Sequence, residues 1–236
     1  MKAFNRQALK DAIRSDIKSV YVAQQEELDL YRNTLDCFSA AIDSLVQGIN
    51  LDDWLRQEKV RQIQKTKQNA IGLIHEKIMG SVEGLENLPV GNLIDIVSEK
   101  FKIVAEIKNK HNTTKGNHKA QIYRDLAKAI ENKPGYIGYY VEVLPKGRKV
   151  YNEPFTPSDN QEKTRLPTRE DIRIIDGKSF YAFITGYDDA IYELYNELPK
   201  LISEIIEEDF GQKLDFDIIV SSEEFLYNYS KAYGDD

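Results

Sequence analysis

Apolar residues recur at helical spacing through the first eighty positions of the chain. Leu9, Ile13, Ile17 and Val20 form one stripe, and Leu28, Tyr31, Leu35, Phe38, Ile42 and Leu45 form a second. Gly48-Ile49-Asn50 ends that stretch. Asp52 is placed to cap a further helix through Trp54, Val60, Ile63, Ile71, Ile74 and Ile78, which stops at Gly80. The segment from Gly84 to Gly91, with Pro89, reads as a loop. The period then changes from helix to strand. Leu93 to Val97 is short and apolar around one acid, and Phe101 to Lys110 alternates. Phe101, Ile103, Ala105 and Ile107 point one way; Lys102, Val104, Glu106, Lys108 and Lys110 point the other.

A loop from His111 to Gly116 leads into a predicted helix from about His118 to Asn132, closed by Lys133-Pro134-Gly135. Tyr136 to Leu144 is a third strand, so the order is helix, strand, strand, helix, strand. Residues 145–170 read as an extended basic loop punctuated by prolines. Ile172 to Ile175 suits a short strand. Phe180 to Ile184 suits either another strand or the start of the last helical region, and Asp188 to Glu208 an amphipathic helix. No repeat or linker divides the chain. Residues 1–236 are therefore read as one unit: a helical N-terminal region (1–67), a catalytic core (68–144), and a recognition-loop region with a C-terminal helix (145–236).

Composition narrows the setting. With 236 residues the chain can bury a core without staples, and its single cysteine, Cys37, excludes an internal disulfide and argues against a cysteine-based zinc site. The N-terminus runs directly into polar helical sequence, so no signal peptide is expected, and no apolar run approaches the ~18 residues of a membrane span. The expectation is a cytoplasmic protein with no membrane partner. A net charge of −7 argues against coating nucleic acid nonspecifically. Residues 100–119, however, carry six lysines, two histidines and one acid, a basic stretch in an acidic chain.

Four acid-x-lysine triplets occur, at Asp16, Glu106, Glu131 and Asp176. The first falls in helix, the third at a helix end and the fourth in a predicted turn. Only Glu106 and Lys108 lie on an alternating strand, where residues two apart share a face. If the preceding hairpin has an even loop centred between Glu99 and Lys100, Asp95 lies opposite Val104 and diagonal to Glu106, with Cβ atoms roughly 7–8 Å apart. An odd loop would place Asp95 on the wrong face. Two carboxylates can hold Mg2+, which polarises a phosphate and acidifies water, while Lys108 orients that water and stabilises developing charge. The bland alternative is a solvated strand face with an incidental ion pair. Two further histidine motifs are incomplete. His75-Glu76 lacks the second histidine of a zinc-protease helix, since position 79 is methionine, and His111 and His118 lack an acid–base partner pattern.

With Asp95, Glu106 and Lys108 in this order of elements, residues 68–144 resemble the PD-(D/E)XK nuclease superfamily, although Ile94 stands where the motif's name has proline. The resemblance implies an α/β restriction-endonuclease-like core, a central mixed sheet flanked by helices, behind a helical N-terminal region. Glu76 resembles the extra acid that some members use to support the metal. The run from Ala105 to Gly116, with Ile175 to Tyr181, resembles a family of type II restriction endonucleases cutting GGNCC or GGWCC sites. That implies Mg2+ dependence, double-stranded DNA as substrate, a homodimer and a cognate DNA methyltransferase. Alternatives are a repair or mobile-element nuclease, or a non-catalytic DNA-binding protein of the same fold. Candidate DNA contacts are Lys110, His111, Asn112, Thr113, Thr114 and Lys115 after the catalytic strand. From the basic region, Lys146, Arg148, Lys149, Arg165 and Arg169 join them, since arginine is the commonest reader of guanine.

Overall fold

The alternation around Glu106 is realised in the computed structural model as the centre of a mixed sheet. The model describes residues 1–25, 29–31, 34–89, 91–114 and 116–234. Three helices come first: α1 (Arg6–Gln25), α2 (Cys37–Gln47) and α3 (Leu51–Gly80). Strands β1 (Glu86–Asn87), β2 (Ile96–Ser98) and β3 (Ile103–Lys110) follow, then α4 (Gly116–Ile130) and β4 (Ile137–Leu144). The basic region contains β5 (Asn152–Pro154), β6 (Ser158–Asp159) and β7 (Thr164–Arg165), and leads to β8 (Ile172–Asp176). Helices α5 (Gly177–Thr185), α6 (Ala190–Phe210), α7 (Asp217–Val220) and α8 (Glu223–Tyr233) complete the chain. No helix among the described residues is long and apolar enough to cross a membrane.

The main sheet has the order β1-β2-β3-β4-β8-β5. Strands β3, β4 and β8 run parallel, and β1, β2 and β5 join antiparallel. The parallel pairing of β3 with β4 needs a crossover, which α4 supplies. The two faces of the sheet have separate cores. Ile103, Ala105 and Ile107 of β3 meet Tyr139, Val141 and Val143 of β4 under apolar residues of α1, α3, α5 and α6. On the other face Val104 and Tyr140 lie beneath Ile122, Tyr123, Leu126 and Ile130 of α4. Each fully buried isoleucine contributes about 1.5–3 kcal/mol.

Several sequence expectations are corrected. The second apolar stripe is not one helix: Tyr31 and Leu35 lie outside α2, and Leu28 lies outside the described residues. Asp36 sets the start of α2, its carboxylate accepting the N–H groups of Phe38 and Ser39. The stripe does not reach the core either, since Phe38 is 78% and Leu45 85% exposed. Asn50, not Asp52, caps α3, accepting from the Asp53 N–H at 2.8 Å. The 84–91 loop contains β1. The basic region is partly paired: β5 edges the main sheet beside β8, and β6 and β7 form a hairpin. Residues 180–184 are helix. Asp176 is no turn residue. It ends β8 and caps α5, accepting the Ser179 N–H. Gly177 follows because a Cβ there would stand 2.4 Å from the Val143 carbonyl oxygen.

The hairpin keeps the expected parity but is centred one residue later. Ile96 pairs with Ala105, Val97 with Val104 and Ser98 with Ile103. That register, carried one step on, aligns Asp95 with Glu106 rather than with Val104. The strand expected over 93–97 begins only at Ile96, because Asp95 leaves the regular ladder. Its N–H donates to the Ala105 carbonyl at 3.0 Å, and its carboxylate accepts the Ile107 N–H at 2.7 Å.

Candidate active site

Glu106 and Lys108 share the face of β3 that α4 only partly covers. Both are half-buried, as is Asp95 at the entrance to β2. The Lys108 ammonium donates to Glu106 Oε1 at 2.7 Å and to the Ile107 carbonyl at 3.0 Å, and lies 3.8 Å from Asp95 Oδ2. The Ile107 N–H fixes Asp95 from behind. One strand therefore supplies an acid, a cation and the backbone donor that holds the second acid.

Electrostatics bring in a fourth residue. Burial, then the charge of Asp95, push the Glu76 carboxyl on α3 from its ordinary 4.5 up to about 7, with Lys108 opposing the shift. Burial and Asp95 likewise raise Glu106 above the usual carboxylate range. Burial works against the Lys108 charge, but Glu106 and Asp95 outweigh it and hold the ammonium above its ordinary value. The two partners look opposed, one resisting ionisation and the other kept ionised. The charge count reconciles them: Glu76, Asp95 and Glu106 face one lysine, so negative charge is in excess. Among the described residues no three His, Cys, Asp or Glu side chains converge into a preformed cation cage.

The other acid-x-lysine triplets diverge where they can be followed. Asp16 pairs with Lys77 at 2.6 Å while Lys18 pairs with Asp209 at 3.3 Å, and Asp176 caps a helix. His75 is not poised for chemistry: its Nδ1 lies 2.9 Å from the Tyr181 hydroxyl, and burial lowers its pKa to about 4.

Comparison with known proteins identifies the family. Residues 3–207 match the Eco47II restriction endonuclease family. The chain belongs to that family. It is 38% identical to the type II restriction enzyme Eco47II of Escherichia coli over 207 residues, 86% of this chain and 85% of that protein. It is 33% identical to the type II restriction enzyme Sau96I of Staphylococcus aureus over 186 residues, 78% of this chain and 71% of that protein. As a member of the Eco47II family it is a type II restriction endonuclease, a site-specific enzyme with DNA as its substrate.

For a DNA-cutting family the basic residues matter next. Lys110, Asn112 and Thr113 are exposed at the end of β3, and His111 is half-buried there. Thr114 turns inward instead; it is buried and accepts from the Tyr140 hydroxyl at 3.2 Å. Lys115 lies outside the described residues. Lys146, Arg148 and Lys149 are exposed just beyond β4, and Arg165 is exposed on β7. Arg169 is tied to Asp171 by two hydrogen bonds of 2.8 and 2.7 Å, which leaves its fork occupied.

Two polar residues of this neighbourhood escaped the sequence reading. Glu142 on β4 is buried and pairs in register with Lys108. Lys119 on α4 donates to it at 2.6 Å. An acid inside the apolar run from Ile137 to Leu144 was the available signal, since a buried charge requires a partner.

Proposed function

We propose that this enzyme hydrolyses phosphodiester bonds of double-stranded DNA with Mg2+ held by Asp95 and Glu106, and with Lys108 beside the reacting phosphate. The carrying observation is the pair of ammonium contacts, 2.7 Å to Glu106 and 3.8 Å to Asp95, inside a cluster with excess negative charge. Magnesium characteristically takes one or two protein carboxylates and completes its shell with waters and substrate phosphates, so a two-acid site suits it without a cage. When bound, the ion supplies positive charge to the phosphate and makes an attacking water more acidic. Asp95 is held ready for it by the Ile107 N–H. Lys108 is a mobile point charge with three donors; it can orient the water and meet the charge that builds on the phosphate oxygens. Glu76 supports the site from α3 through its charge.

The substrate is a short G/C-flanked site of the GGNCC or GGWCC type. A palindrome of that kind pairs with a twofold homodimer, in which each copy cuts one strand. Residues 1–236 act as a single nuclease unit in the cytoplasm, alongside a cognate methyltransferase that need not touch it. Lys110, His111, Asn112, Thr113, Lys146, Arg148 and Lys149 meet backbone phosphates, and Arg165 is the exposed arginine of the β6–β7 hairpin offered to guanine.

Plasmid incubated with the protein and magnesium tests the proposal. The expected product is a set of discrete fragments with ends at GGNCC or GGWCC, absent with Glu106→Ala. Nicking or random degradation indicates a repair-type nuclease instead. Binding without any cleavage ends the enzymatic reading.

A further inference from the structure

Glu142 is 2% exposed, yet both its oxygens are engaged. Lys119 Nζ donates to Oε1 at 2.6 Å and the Tyr151 hydroxyl to Oε2 at 2.7 Å. Buried ion pairs contribute little net stability, so a lysine gripped in this way invites a reason beyond stapling a helix to a sheet. Its place in the sheet suggests one. In register, Glu142 stands beside Lys108 and Tyr140 beside Glu106. Neighbouring strands lie ~4.8 Å apart, and directly paired residues share a face. The Lys119 ammonium also lies 5.2 Å from the centre of the Tyr140 ring. It therefore stands one strand away from the Glu106–Lys108 pair, on the same side of the sheet. Its side chain remains 25% exposed. An ammonium has three donors, and Glu142 takes one of them.

We propose that Lys119 contacts the DNA phosphate adjacent to the one that is cleaved, and that Glu142 and Tyr151 position it. This rests on the DNA-cleaving reading above and extends it by one cation. DNA held with one phosphate at Lys108 carries further phosphates along the same strand, and Lys119 is set across the sheet to meet the next. Glu142 is a positioning residue here, since it acts through the lysine it holds.

The test uses the full chain carrying Glu106→Gln, so that the DNA stays intact. Binding of a short duplex centred on GGACC is measured by anisotropy over a range of salt concentrations. Lys119→Met should make the dependence of log affinity on log salt shallower by about 0.9 for each chain bound. Lys119→Gln, which can still donate to Glu142, should do the same, and Lys119→Arg should keep the parental slope. Glu142→Gln should weaken binding severalfold at an unchanged slope, because the cation remains but is no longer held. Parental slopes in both neutral variants would show that Lys119 only staples α4, and parental affinity in Glu142→Gln would remove the positioning role. A Glu106→Gln protein that does not bind the duplex, or a parent that does not cut plasmid, would instead overturn the underlying reading.

Discussion

The two faces of the central sheet are built from the same strands and do different work. On one face Ile103, Ala105 and Ile107 of β3 and Tyr139, Val141 and Val143 of β4 are buried beneath α1, α3, α5 and α6. On the other, Val104 and Tyr140 are buried under α4, and the rows then continue into Glu106 and Lys108, and into Glu142. The covered face is apolar at all six of these positions. The partly covered face becomes charged toward the C-terminal ends of the parallel strands, where ligands of such sheets usually bind. Alternation thus separates the core from the proposed site at single-residue resolution: Ile107 belongs to the core, and its neighbours on either side to the face proposed for chemistry.

That contrast can be broken most directly at Ile107. Ile107→Ala should destabilise the fold by about 2–5 kcal/mol, as for other large-to-small core changes. Chemical denaturation would read the loss, and the fraction still folded should cleave DNA. A parental midpoint would mean that the covered face is not the stabilising one. At the next position, Lys108→Met should slow cleavage by the folded fraction at saturating DNA by at least about a hundredfold, the scale of losing one charge-stabilising donor, and lower the unfolding midpoint because Asp95 and Glu106 lose their cation. A smaller loss would reduce Lys108 to a ground-state contact.

A subtler effect belongs to Glu76. Its carboxyl is raised from 4.5 to about 7 in the folded protein. Between those values the folded state holds a proton that the unfolded state has lost, so stability falls as pH rises through this window. Glu76→Gln should therefore be more thermostable than the parent at pH 8, with the gap closing as pH falls toward 4.5. Magnesium should narrow the gap at pH 8 by offsetting the repulsion from Asp95 and Glu106. A gap independent of pH would separate Glu76 from the cluster.

Much of the geometry of the proposed site was legible in the sequence, because β3 is a local pattern. Glu106 and Lys108 declare their shared face by alternation alone. The placement of Asp95 was legible only in parity: its carboxylate bonds the Ile107 N–H and pulls it out of the ladder, which periodicity does not encode. Glu142 was visible as an acid in an apolar run, but its partner Lys119 depends on how α4 lies across β4, a non-local fact. The edge position of β5 beside β8 is non-local for the same reason. Arg169 pairs with Asp171 two residues on, a local contact that periodicity does not encode. The exposed stripe of α2 shows the converse limit: helical spacing finds a face, and what covers that face is decided elsewhere.

The central claim is that Glu106, and not merely its strand, carries out cleavage. Its most direct test is a single-turnover measurement with protein in excess over a labelled GGACC duplex in magnesium, comparing the parent with Glu106→Gln. The account predicts a variant that still binds the duplex, with an unfolding midpoint no lower than the parent's, and cleavage at least about a hundredfold slower. Cleavage by Glu106→Gln at the parental rate would contradict it.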